Sequence, residues 1–322
     1  MIRTAFLHLA FILALGCAAP AGQPAARSSA LASQPAPAVE QVAQKATPLA
    51  HVDHFYVMTS DVKTAMSCLT DTLGLPVAWP VDPFSNGTTT VTTGGAFAGN
   101  LNIELVVPFL GDLRFSGIAF KPGAPVDEVV TQLAAAGMTP MTPPQPFVIK
   151  NVNRDSPTEF WRRVRDYTDA EGGPAWTTVG LMDIGHVPHG GTPPDNGTHL
   201  FLCEYHMGME RINDHNRSSF SGGPAGIIGV SEITVQVAED RDGAEARLNA
   251  LLGDGFAERT GVDIEVMAGD RDRFVGFTLR VASVERATEH LGARGIAVDS
   301  DTDGQSFECP GLPDVRISLR AE

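Results

Sequence analysis

From residue 49 to the C-terminus, the hydrophobic positions switch repeatedly between a period of two and a period of three to four. Short alternating runs predict half-buried strands, and i, i+3, i+4 runs predict amphipathic helices. In HFYVMTSDVKTAMSCLTDTLGLPVAW, residues Val62, Ala65, Met66, Leu69 and Leu73 form one helical stripe, and Gly74 stands where a C-cap is expected. The pattern recurs as Val126, Val129, Val130 and Leu133 before Gly137. It recurs again as Ala244, Leu248, Leu251 and Leu252 before Gly253, and as Val284, Ala287 and Leu291 before Gly295.

Further strands are predicted at GTTTVTT, LNIELVVP, WTTVGLMDI, HLFLCEYH, VDIEVMAG and VRISLRA. Each unit therefore reads strand, helix, then two or three strands. Four such units predict an α+β fold of paired βαβββ modules, and the repetition implies duplication. An insertion over about residues 140–175 carries EFWRRVRDY. The polar, Gly-rich stretch 208–226 separates a first domain, 49–210, from a second, 227–322.

Ahead of the repeats the pattern fails. Residues 18–48 are rich in Ala, Pro, Ser and Gln with no face to bury, which predicts a disordered tether. In residues 1–17, Arg3 precedes an apolar run from Ala5 to Leu15. That run has the length of a signal-peptide core and is short for a bilayer span. Export is expected. Gly16-Cys17 resembles the end of a bacterial lipoprotein signal, whose cysteine is acylated, while Ala19-Pro20-Ala21 offers an ordinary cleavage site. The expected location is the periplasm, free or lipid-anchored at Cys17.

Composition narrows the partners. With 43% hydrophobic residues the chain can build a core, and its net charge of −15 disfavours nucleic acid. A small molecule or a cation suits it better. The four cysteines, Cys17, Cys68, Cys203 and Cys309, contain no CxxC pair, so a zinc knuckle is not indicated. Cys68 and Cys203 lie in apolar patterns and read as small buried hydrophobes.

Candidate chemistry starts at HVDHFYVM. His51 and His54 are three apart and point to opposite faces of a regular strand, which leaves His54 as the candidate. Glu104 sits in NIELVV and Glu204 in LFLCEYH. A carboxylate inside an apolar strand needs a partner, a proton or a metal. His206 is two residues from Glu204 and shares its face of a regular strand. His186 and His189 read as solvated loop residues. Arg162, Arg163 and Arg165 read either as a solvated helix face or as a lid meeting an anionic substrate. The glycine pairs at 94–95, 190–191 and 222–223 read as loop punctuation, and there is no P-loop, strand-linked GxGxxG or GxSxG elbow.

The order of these motifs resembles the vicinal oxygen chelate superfamily, which includes glyoxalase I, extradiol dioxygenases and fosfomycin- and bleomycin-resistance proteins. His54, Asp61 and Leu73-Gly74-Leu75 carry the first module of that pattern, followed by IELV at 103–106, GIAF at 117–120 and FLCEY at 201–205. The resemblance covers about residues 50–322. It implies a cup holding a divalent metal (Fe²⁺, Zn²⁺, Mn²⁺ or Ni²⁺) on His54, Glu104 and Glu204, with Glu104 or His206 moving a proton. The fourth ligand position, usually histidine, falls at Gly117, beside Ser116. What is implied is a metal-dependent isomerase, lyase or dioxygenase acting on a small substrate with vicinal oxygens. The alternative, favoured by Gly117, is a metal-free sequestering protein of the bleomycin-resistance type. In the second domain Glu232 and Glu265 stand where His54 and Glu104 stand in the first, with Phe277 and Ser318 near the remaining positions. That domain reads as degenerate, serving packing or homodimerisation.

Overall fold

The protein is described by a computed structural model over residues 48–85, 90–108, 116–148, 159–171, 173–185, 197–206, 210, 217–218, 220–301 and 304–322. The signal and tether readings of residues 1–47, Cys17 included, lie outside these residues, as do His186 and His189.

The first unit comprises β1 (Leu49–Met58), α1 (Val62–Ser67), β2 (Val77–Ser85), β3 (Thr90–Phe97) and β4 (Asn102–Val106). The second comprises β5 (Ser116–Pro122), α2 (Val126–Ala135), β6 (Gln145–Phe147), the inserted α3 (Glu159–Glu171), β7 (Trp176–Ile184) and β8 (Thr198–Tyr205). Together they form one eight-stranded sheet in the order β2-β3-β4-β1-β5-β8-β7-β6. The order is nearly symmetric about its centre, where β1 and β5 run antiparallel and each pairs in parallel with its own unit's last strand. Asp61 is the N-cap of α1, its Oδ1 accepting the Thr64 N–H at 3.1 Å.

The second half contributes β9 (Ile227–Val237), α4 (Arg241–Leu252), α5 (Phe256–Thr260), β10 (Asp263–Ala268), β11 (Arg273–Val281), α6 (Val284–Ala293), β12 (Asp299–Asp301), β13 (Gly304–Glu308) and β14 (Arg316–Ala321). Its six-stranded sheet runs β10-β9-β11-β14-β13-β12. The third unit has one strand after its helices, not the two or three expected. The glycine pair at 94–95 is also not a loop. It lies within β3, where a Cβ on Gly95 would come 2.5 Å from the Trp79 ring.

The two sheets share a core. Phe55, on the back of β1, stacks on Phe274 of β11 at a ring-centroid distance of 5.2 Å and meets Phe277 at 5.0 Å. Burying three such rings contributes several kcal/mol, at roughly 1.5–3 kcal/mol per large apolar side chain. At the rim, the Asn100 side chain donates to the Val230 carbonyl and accepts from the Val230 N–H, both at 2.8 Å. Thr59 Oγ1 donates to the Gly311 carbonyl across the same joint.

Cys68, directly after α1, is bonded to Cys309 near the C-terminus across 241 residues of sequence. Cys68 is buried in the core as its apolar pattern predicts, but it is paired rather than a lone small hydrophobe, whereas Cys203 is a buried free thiol. Replacing Cys309 by Ser should lower the stability of the oxidised protein by roughly 2–5 kcal/mol, because the link removes freedom from the unfolded chain. Urea midpoints of the two proteins check this, and coincident midpoints would contradict it.

At the sheet centre Tyr56 pairs with Gly117. A Cβ on Gly117 would lie 2.1 Å from the Tyr56 ring, so the strand approach requires glycine. Gly117→Ala should cost about 1–3 kcal/mol by overpacking. The same change in a Tyr56→Ala background should cost much less, and additive losses in that double-mutant cycle would refute the contact.

Candidate functional site

The front of the eight-stranded sheet wraps a cavity of about 260 Å³. The two-residue period of strands puts His54, Tyr56 and Met58 of β1, Glu104 and Val106 of β4, and Phe201, Cys203 and Tyr205 of β8 on this face. Trp161 reaches in from α3 and is 3% exposed. Trp79 and Trp176 complete a wall that holds every tryptophan of the chain. Phe147 stacks on Trp176 with centroids 4.4 Å apart, and Phe201 meets His54 edge-on at 5.6 Å.

One corner of the cavity is polar. The buried carboxylate of Asp53 lies 2.7 Å from His54 Nδ1, which fixes the ring with its Nε2 toward Glu104. His54 Nε2 and Glu104 Oε2 are 3.5 Å apart. The other carboxylate oxygen of Glu104 accepts the Thr93 hydroxyl at 2.6 Å, and Thr93 Oγ1 in turn accepts the Trp79 indole N–H at 3.3 Å. The Tyr205 hydroxyl stands 3.5 Å from His54 Nδ1.

Burial and charge compete here. Burial alone would push the His54 imidazole down. The hydrogen bond and charge of Asp53, together with the Glu104 charge, outweigh it and hold His54 above the ordinary histidine range. Burial pushes the Glu104 carboxyl up, and the His54 charge and the Thr93 hydrogen bond offset this only in part. Burial acts against ionised Asp53 too, but the His54 bond and charge prevail, so Asp53 stays below the usual carboxylate range. Tyr205 and Cys203 are raised well up by burial and stay neutral.

Of the metal-ligand set implied by the sequence, the structure brings together His54 and Glu104 and not Glu204. Leu200, Leu202 and Glu204 share the back of β8, where the two leucines enter the core. The Glu204 Oε1 accepts the Val126 N–H at 3.3 Å, at the start of α2, whose N-cap Pro125 offers no side-chain acceptor. His206 is likewise outside the cavity lining, its Nε2 3.0 Å from the Thr177 hydroxyl. The residue of this segment that enters the cavity is Tyr205.

His51 also lies outside the cavity lining, although the strand is not regular. Register shifts in β1 between Leu49 and His51 and between Val52 and His54 put Val52 and Phe55, three apart, into one core. The α3 segment closes the cavity through Trp161, while Arg162 and Arg163 are exposed and Arg163 pairs with Glu159. In the second sheet Glu232 is bound by Arg320 at 2.9 Å and by the Thr278 hydroxyl at 3.3 Å. Phe277 packs the sheets together. Sequence reasoning missed Asp53, a charged residue inside the apolar strand beside His54, and the gathering of the tryptophans.

Among the described residues the implied donor set is incomplete. Catalytic ions are ordinarily held by three protein ligands. Among the described residues no three His, Cys, Asp or Glu side chains are grouped to hold one. Asp53 engages the far nitrogen of His54, Glu204 faces α2, and the Tyr56 ring fills the space above Gly117.

No family model and no curated protein matches the sequence. Solved structures do match its fold. A 4-hydroxymandelate synthase variant from Streptomyces coelicolor aligns over 85% of this chain and 93% of its own, at 11% identity and a TM-score of 0.50. Homoprotocatechuate 2,3-dioxygenase from Arthrobacter globiformis aligns over 85% and 81%, at 13% identity and a TM-score of 0.49. The Mn(II)-bound glyoxalase from Novosphingobium aromaticivorans aligns over 85% and 83%, at 11% identity and a TM-score of 0.43. With paired modules in one eight-stranded and one six-stranded sheet, the chain has the vicinal oxygen chelate fold, an α+β architecture.

Proposed function

We propose that the front cavity binds a small planar molecule through its aromatic wall. A ligand oxygen is placed between His54 Nε2 and Glu104 Oε2, and no resident metal is required. The observation that carries this reading is the convergence of His54 and Glu104 at a polar corner of a mainly aromatic and apolar cavity. Asp53 orients the imidazole, Thr93 and Trp79 hold the carboxyl, and the His54–Glu104 pair can hold or move a proton at that oxygen. Whether the protein turns its ligand over or only sequesters it depends on that proton step.

A second reading is favoured by the convergence of the same two atoms. His54 and Glu104 could share a divalent cation (Fe²⁺, Zn²⁺, Mn²⁺ or Ni²⁺) completed by vicinal oxygens of a substrate, as a metal-dependent isomerase, lyase or dioxygenase would require. The readings separate on metal analysis and on binding of catechol followed by tryptophan fluorescence. The first expects protein prepared anaerobically with Fe²⁺ or Zn²⁺ to carry far less than one equivalent of metal. It also expects metal-stripped protein to bind catechol, and His54→Ala or Glu104→Gln to weaken that binding roughly tenfold, the worth of one hydrogen bond to a charged group. One equivalent of metal that disappears in His54→Ala would overturn it in favour of the second.

Export is also part of the proposal. The Cys68–Cys309 bond supports it, because such links persist in oxidising compartments. Expressed in a Gram-negative host, the full chain should fractionate with the envelope, and Cys17→Ala should abolish labelling by a fatty-acid analogue if Cys17 is the anchor. Recovery of the chain in the cytosol with reduced Cys68 would count against export.

A further inference from the structure

The cavity is electrostatically one-sided. Its polar corner presents the Glu104 carboxylate beside the His54 imidazole, and a second carboxylate, Asp53, lies behind the imidazole on Nδ1. Among the described residues, no Lys or Arg lines the cavity. The wall itself is selective in composition. Aromatic residues are 7% of the chain, yet they make up half of the lining residues and include all of the tryptophans.

An aliphatic wall would serve a neutral apolar ligand equally well. Indole and phenol rings add a quadrupole whose negative face attracts a cation that has few water contacts to lose. A carboxylate beside such rings supplies the counter-charge. The net charge of −15 draws cations toward the protein from further away.

We infer that the ligand of this cavity carries a quaternary or alkylated ammonium group, held against the tryptophan-rich wall with Glu104 as its counter-ion. This rests on the pocket-binding reading above and adds the ligand's charge to it. Because every tryptophan lines the cavity, intrinsic fluorescence reports occupancy directly.

Two probes of one shape test the inference: (3-hydroxyphenyl)trimethylammonium and its neutral carbon analogue, 3-tert-butylphenol. Both offer a ring and a hydroxyl; they differ in charge. The full chain should bind the ammonium probe roughly tenfold more tightly, the scale of a desolvated cation–ring contact. Glu104→Gln should bring the two affinities together, and Trp161→Leu should weaken the ammonium probe more than the neutral one. Equal affinities in the wild-type chain overturn the inference and leave the pocket reading standing. Binding of neither probe overturns both. The wild-type comparison decides the matter even if a variant does not fold.

Discussion

Strand β1 is buried on both faces, and the rest of the structure depends on that. Its front carries His54 and Tyr56 into the cavity, and its back carries Phe55 and Val57 into the core shared by the two sheets. The site residues therefore stand on a strand whose reverse side is fixed by ring-on-ring packing to β11. A site built on so firmly packed an element is held in place without help from loops. Asp53 completes the arrangement by tying the imidazole to its own strand.

Much of the fold was legible because its signals are local and repeated. The helical stripes with glycine after them and the alternating strands appear where the sequence predicts them. Of the site, His54 and Glu104 were legible, since each is a charged residue in a strand that otherwise buries apolar side chains. Glu204 satisfied the same rule and still pointed the other way. Alternation says which residues share a face; it does not say which face is the cavity. Leu200 and Leu202 on the back of β8 settle that for Glu204, and only the packed structure shows where the leucines go. The tryptophans were illegible for another reason: they come from β2, α3 and β7, and no local pattern joins elements so far apart in sequence.

Gly117 shows how a lost side chain reshapes a site. The resemblance places a metal-binding imidazole at this position. Here the missing side chain is matched by Tyr56, whose ring lies over the glycine from the neighbouring strand. At this place the cavity is lined by the Tyr56 ring. Glu104 is held by Thr93 and faces His54.

The second sheet can be viewed as a subunit supplied in cis. Its third unit lacks outer strands, and its Glu232 is tied up by Arg320 and Thr278, yet its Phe274 and Phe277 cover the back of β1. Where two separate chains bury such a face between them, the fraction folded follows protein concentration. Here the covering half is joined to the first by the chain, by the Asn100–Val230 amide pairing and by a disulfide, so its effective concentration is fixed by the covalent structure. The integrity of the cavity is thereby insulated from dilution.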